Sequence, residues 1–152
     1  MSEAGNNRAA SRPPSGMTLL ELLVVIAIIA IATVGISLSL RDSSEAQLER
    51  EGVRLAALLE AARAASRASG APVRWLATER GFHFEGLAAG TLPERWLGES
   101  VFVQPPAALV LGPEPIIGPQ QVAIRTRALP GGALNVVTDG LRPFAVQSVA
   151  PP

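Results

Sequence analysis

From Leu22 to Leu40 the chain carries no charged side chain, and Leu, Ile, Val and Ala dominate. As a helix this run is about 28 Å long at ~1.5 Å per residue, close to the ~30 Å hydrocarbon thickness of a bilayer. A helix apolar on every face is either embedded in a membrane or packed deep in a large core. A chain of 152 residues has too little else to cover it, so the run reads as a membrane helix. Its flanks suggest an orientation. Arg8 and Arg12 precede it, whereas the far side opens on the balanced pair Arg41-Asp42. The positive-inside tendency then puts Met1 in the cytoplasm and the C-terminal part outside.

Glu21 stands inside the apolar stretch. A carboxylate at the bilayer centre costs about 2.5–3.5 kcal/mol even on lenient scales, and less near an interface. An ordinary secretory signal peptide has no use for such a charge, and its apolar core is usually only ~7–15 residues. Thr33-Val34-Gly35 and Ser37-Leu38-Ser39 are weak matches to the small-residue cleavage site such a peptide needs. Glu21 is accounted for if the mature chain starts at Met17. Cleavage after Gly16 creates an α-amino group four residues before Glu21, on the same helix face. Amine and carboxylate can then pair within one subunit or between adjacent helices. A first-turn carboxylate also offsets the unfavourable placement of an ammonium at a helix N-terminus. The simpler alternative is a glutamate snorkelling to the membrane surface.

Gly16-Met17-Thr18-Leu19-Leu20-Glu21, followed by the run Leu22 to Ile29, resembles the class III prepilin motif of type IV pilins and type II secretion pseudopilins. The resemblance implies a leader of residues 1–16, removed after Gly16 by a prepilin peptidase. It also implies N-methylation of Met17 and a charge-compensating role for Glu21 in assembly. The chain departs from the family in two places. Phe usually stands where Met17 is, and the helix-kinking Pro common in type IV pilins is missing from Ile36-Ser37-Leu38-Ser39-Leu40.

Beyond residue 40, Leu48, Leu55, Leu58, Leu59, Ala62 and Ala65 recur at helical spacing. Glu49, Arg50, Arg54, Arg63 and Arg67 take other positions. This predicts an amphipathic helix over 41–70 built from good helix formers. Gly52 is the exception, marking either a close contact or a weak point. Gly70-Ala71-Pro72 is a stop signal. One helix from Thr18 to Ser69 would measure about 78 Å, with a break near Ser37 to Ser44 left open.

After Pro72 the period changes to short strands. Val73–Ala77 and Phe82–Glu85 flank a turn at Thr78–Gly81. Further strands are read at Val101–Val103, Ala108–Leu111 and Val122–Arg125. Asn135–Val137 and Phe144–Gln147 bracket Asp139-Gly140, a second hairpin signal. Strands this short need a partner layer, and the apolar face of the helix supplies one. The predicted fold is α+β and pilin-like: a long N-terminal helix packed on a small antiparallel sheet. The expected segments are the leader 1–16, a membrane and filament-core helix 17–40, an amphipathic helix 41–70 and a periplasmic β-rich part 71–152.

The helix ending near Gly-x-Pro, the strand at Trp75 and the Asp-Gly signal before Pro143-Phe144 resemble the H-type minor pseudopilin of type II secretion. The resemblance extends over Gly16 to Gln147 and is loosest from Gly86 to Gly132. It implies a non-enzymatic, single-pass inner-membrane subunit of a periplasmic pseudopilus. Its partners would be the prepilin peptidase and other major and minor pseudopilins. The same motif and fold serve type IV pili and DNA-uptake machines, and a secreted binding domain behind a signal peptide is the alternative of another class.

No chemistry is expected. The single His83 lies on a Phe-His-Phe strand pointing away from the core, and the carboxylates lack metal-ligand spacing. Gly131-Gly132 lacks the strand-to-helix context of a phosphate loop. Trp75 and Trp96 read as core or interface residues. Thirteen basic residues, all Arg, balance thirteen acidic ones, which argues against a nucleic-acid partner. Absence of Cys excludes disulfides, thiolate metal sites and cysteine nucleophiles. No cofactor or metal is expected.

Overall fold

The computed structural model describes residues 18–148. The elements are α1 (Leu19–Ser69), β1 (Arg74–Thr78), β2 (Gly81–Glu85), β3 (Val101–Phe102), β4 (Ala108–Val110), β5 (Gln120–Thr126), β6 (Ala133–Thr138) and β7 (Ala145–Ser148). Helix α1 is unbroken across Ser37 to Ser44. It ends where the sequence stops it: Gly70 takes φ +68, and its N–H donates to the Ser66 carbonyl at 2.9 Å. A left-handed residue just past the last turn closes a helix this way, and glycine adopts it without a Cβ penalty. Pro72 then bars continuation.

The chain divides between Ser37 and Leu38 into two units. In the N-terminal unit, every side chain from Leu19 to Val34 is exposed. Leu19 is 82% and Ile31 74% accessible.

In the C-terminal unit, α1 buries the stripe Leu48, Gly52, Leu55, Leu59, Ala62 and Ser66, at alternating spacings of four and three. The amphipathic pattern predicts this face, with three differences. Leu58 and Ala65 are only half-buried, and Arg63, assigned by the pattern to another face, is 3% exposed. Glu51 is buried too. Their burial is possible because each finds main-chain partners, described below. Gly52 marks a close contact. A Cβ there would stand 3.2 Å from Val146 Cγ2 and 3.3 Å from Ile124 Cδ1.

The predicted strands all form, but in two antiparallel sheets rather than one: β2-β1-β4 and β3-β5-β6-β7. The first hairpin turns at Glu79-Arg80, with Thr78 opposite Gly81. Pro113, Pro115 and Pro119, which have no N–H to donate, lie on the connection from β4 in the first sheet to β5 in the second. Trp75 lies between Phe84 and Leu109 in the register and is fully buried. Its ring centroid is 5.9 Å from that of Phe82, which packs edge-on against Phe84 at 5.8 Å and Trp96 at 4.8 Å. The second sheet contributes Val122, Ile124 and Val136 to the same core. Asp139-Gly140 does not make a two-residue turn. Val137 pairs with Ala145, and the longer loop between them is organised by the Asp139 carboxylate.

Candidate functional site

Gly16 and Met17, the expected cleavage and methylation positions, lie outside the described residues. The helix they precede starts at Leu19, capped by Thr18. The Thr18 hydroxyl accepts the Glu21 N–H at 3.2 Å, and the Thr18 carbonyl accepts the Leu22 N–H at 3.1 Å. Threonine three residues before glutamate is a capping signature, which agrees with a helix that begins at Thr18. Glu21 is exposed in the first turn, where its charge faces the positive end of the helix dipole. Of the expected Met17–Glu21 pair, only Glu21 is among the described residues.

Three hydroxyls that follow bond back onto the helix itself. Thr33 Oγ1 donates to the Ile29 carbonyl at 2.7 Å, and the Ser43 and Ser44 hydroxyls both donate to the Leu40 carbonyl at 2.9 Å. Hydroxyls that bond back to their own helix are the kind tolerated at hydrocarbon depth. Helix α1 is long and apolar enough to cross a membrane.

The C-terminal half of α1 holds two clamps that sequence reasoning missed. Glu51, 1% exposed, accepts N–H groups from Leu97 at 2.5 Å and Gly98 at 2.8 Å. One turn on, Arg54 lies 3.4 Å from the other Glu51 oxygen and donates to the Arg95 carbonyl at 3.0 Å. The second clamp repeats the spacing. Arg63 donates to the carbonyls of Gly140 at 2.8 Å and Pro115 at 3.2 Å, while Glu60 accepts the Phe144 N–H at 3.0 Å. Arg63 and Glu60 are themselves 3.7 Å apart. A buried charge is costly unless paired and hydrogen-bonded. Here the charges instead satisfy main-chain groups of loops that have no ladder to join. The available signal was an acid and an arginine three apart, twice, beside a face of Leu, Ala, Gly and Ser. Read from sequence, that spacing is indistinguishable from surface ion pairing.

The remaining candidates gather into no reactive constellation. His83 is exposed and donates from Nδ1 to Glu94 Oε1 at 2.7 Å. Trp75 is core, and Trp96 is half-buried at its margin. An open cleft of about 350 Å³ brings Arg80, Arg95 and Arg127 beside Trp96 and Phe102, with the Arg127 guanidinium 5.2 Å from the Phe102 ring centre. His83 does not line it. Asp139 is held electrostatically by its own loop. The Arg142 N–H, the Arg142 side chain and the Leu141 N–H hold its carboxyl at about 2, below the ordinary 3.8. That arrangement is a loop staple. Among the described residues, no group of three or more His, Asp or Glu side chains is placed to hold a metal ion.

No curated protein and no solved structure matches the chain. Residues 12–37 match the family model described as the prokaryotic N-terminal methylation motif. That segment spans Gly16, Met17, the Thr18 cap and Glu21, so the chain carries a class III, pilin-type leader motif ahead of a long helix and two antiparallel sheets.

Proposed function

We infer that the protein is a minor pseudopilin of a type II secretion system, a structural subunit of the periplasmic pseudopilus that helps export folded proteins. The observation that carries this reading is Glu21, a carboxylate in the first turn of α1, whose residues from Leu19 to Val34 are otherwise uncharged and all exposed, within a methylation motif. In this reading a prepilin peptidase cuts after Gly16 and Met17 is methylated. The helix holds the subunit in the inner membrane with the C-terminal unit in the periplasm. During assembly the apolar helices of neighbouring pseudopilins pack together. Glu21 then compensates a Met17 amine, which removes an unpaired charge from lipid. The H-type assignment draws further support from the Leu/Ala/Arg helix ending at Gly70-Ala71-Pro72, the Trp75 strand and the loop at Asp139-Gly140.

Glu21→Ala should leave cleavage intact and impair incorporation into the filament. Normal incorporation of that variant would remove the pairing role. Membership is tested in a clean deletion strain by assaying secreted proteins, surface pili and twitching together. Lost secretion with normal pili is the expected outcome. Lost pili or twitching with normal secretion would assign the subunit to a type IV pilus instead. Intact mass supplies the other check, since a soluble form beginning near residues 36–40 is incompatible with processing at Gly16.

A further inference from the structure

The arginines of the C-terminal unit fall into two groups. Arg41, Arg54, Arg63, Arg74 and Arg142 each face an acidic side chain. Arg50, Arg67, Arg80, Arg95, Arg125 and Arg127 have no acidic partner among the described residues. Of this second group, Arg80, Arg95 and Arg127 line the single open cleft of about 350 Å³. Glu79 and Glu99 line it too, and neither is close enough to an arginine to pair. Three guanidiniums against two carboxylates leave one positive charge in excess. The rest of the lining is largely aromatic. Trp96 is half-buried and edge-on to Phe82, and the Arg127 guanidinium lies over the Phe102 ring. A guanidinium over a ring face keeps its in-plane N–H groups free for an acceptor. The surrounding main chain is fixed from several sides. Glu51 holds the Leu97 and Gly98 N–H groups, and Arg54 holds the Arg95 carbonyl. The Val101 N–H donates to the Gly98 carbonyl at 3.2 Å, and the Arg127 N–H to the Ser100 carbonyl at 2.9 Å.

We propose that this cleft docks a segment of a partner protein that presents one aspartate or glutamate beside an apolar side chain. Exposed arginines are ordinarily solvated one by one. These three instead converge on two aromatic rings over a fixed main chain, the combination in which interface energy concentrates. A single carboxylate balances the excess charge and accepts from a guanidinium fork, a pairing stronger than a neutral hydrogen bond. Trp96 and Phe102 give the neighbouring apolar side chain a surface to cover. The volume lies near the lower end of the ~300–1,000 Å³ of ligand pockets, which suits side chains rather than a length of polymer. Charge also separates a protein partner from a nucleic acid. Glu79 and Glu99 repel a chain with a phosphate at every unit, whereas one carboxylate can sit among the arginines away from them. Because the main chain is already held, little ordering cost accompanies docking. The inference uses the C-terminal unit alone and does not depend on the function proposed above.

The test pans a phage library of short random peptides against the full chain in detergent micelles, beside the double variant Arg80→Ala with Arg95→Ala. Peptides retained by the unmodified chain should carry an aspartate or glutamate next to an apolar residue. Their affinity should fall about tenfold in the double variant, the worth of roughly one charge-assisted hydrogen bond. Exchanging the carboxylate of the tightest peptide for its amide should cost a similar factor. Arg67→Ala removes an unpaired arginine that does not line the cleft, and should change nothing. Both cleft substitutions fall on exposed side chains and leave the Arg95 carbonyl to Arg54, and a denaturant melt checks that the double variant is folded. Retained peptides without a carboxylate, equal binding to the folded double variant, or no peptide held above a bare-micelle control would overturn the proposal. So would displacement of the bound peptide by oligothymidine or by inorganic phosphate at equal concentration, since either would make the cleft a general anion site.

Discussion

Between Leu19 and Val34, helix α1 exposes every side chain, and its hydroxyl at Thr33 turns back onto its own helix. Between Leu48 and Ser66 it buries a stripe that includes the charged residues Glu51 and Arg63, and these reach out to the main chain of loops. The first half turns its hydroxyl back on its own backbone, as a helix must where the surroundings offer no partners. The second half lends its polar groups to Gly- and Pro-rich segments that cannot satisfy themselves through a sheet. One continuous helix thus follows two rules, set by what surrounds it.

Removing a clamp should break the C-terminal rule with the largest effect. Arg63→Ala leaves the buried Gly140 carbonyl, the Pro115 carbonyl and the Glu60 carboxylate without their cation, and should lower unfolding stability by about 3–5 kcal/mol. Denaturant unfolding followed through Trp75 reads this, since that side chain is fully buried. Ile28→Ala, in the exposed half, should stay within about 0.5 kcal/mol in the same assay. An equal loss from both would erase the contrast. Glu51→Gln keeps an acceptor but loses the charge, and should cost about 1–3 kcal/mol.

The start of the first half should respond locally. Thr18→Ala removes the acceptor for the Glu21 N–H, and should weaken the first turn by about 0.5–2 kcal/mol. Amide exchange at Glu21 is the readout, and the unfolding of the sheets should not change. Gly52→Ala sets a gain in helix propensity of about 1 kcal/mol against overpacking of about 1–3 kcal/mol on Val146 and Ile124. The net expectation is a loss of about 1 kcal/mol. A stabilised variant would show that the close approach relaxes.

Asp139 supplies the smallest effect, and it depends on pH. Its folded carboxyl titrates at about 2 against an ordinary 3.8. Its contribution is therefore fully present above 3.8 and is lost as pH falls through about 2. The group is exposed, so salt should reduce the contribution. Comparing wild type with Asp139→Asn between pH 5 and pH 2 isolates it. Curves that stay parallel throughout would mean the staple does not stabilise the loop.

The N-terminal half was legible because its signals are local. An uncharged run, a misplaced glutamate and a threonine cap each act within a few residues of sequence. The hairpin at Glu79-Arg80 was equally plain, because period-two alternation on both sides of a turn fixes which faces meet. Arg63 was misread because a helix pattern ranks side chains by polarity. Polarity says nothing about whether the Gly140 and Pro115 carbonyls, far along the chain, will arrive at the same spot. The longer connection at Asp139-Gly140 was misjudged for a related reason. That dipeptide favours a tight turn, but Gly140 lies against Ile117, where a Cβ would collide with the carbonyl, and the loop takes its shape from that neighbour.

The sequence alone determined the apolar helix, the leader motif, the amphipathic continuation and the set of strands, since each follows from periodicity, propensity or capping over short range. Tertiary structure decided the division into two sheets, the burial of Glu51 and Arg63, the close packing at position 52 and the covering of the β2 and β4 edges by Glu94 and Gln120. Those outcomes depend on which main-chain groups meet across long sequence separations, where hydrogen bonding and close packing overrule what each residue prefers on its own.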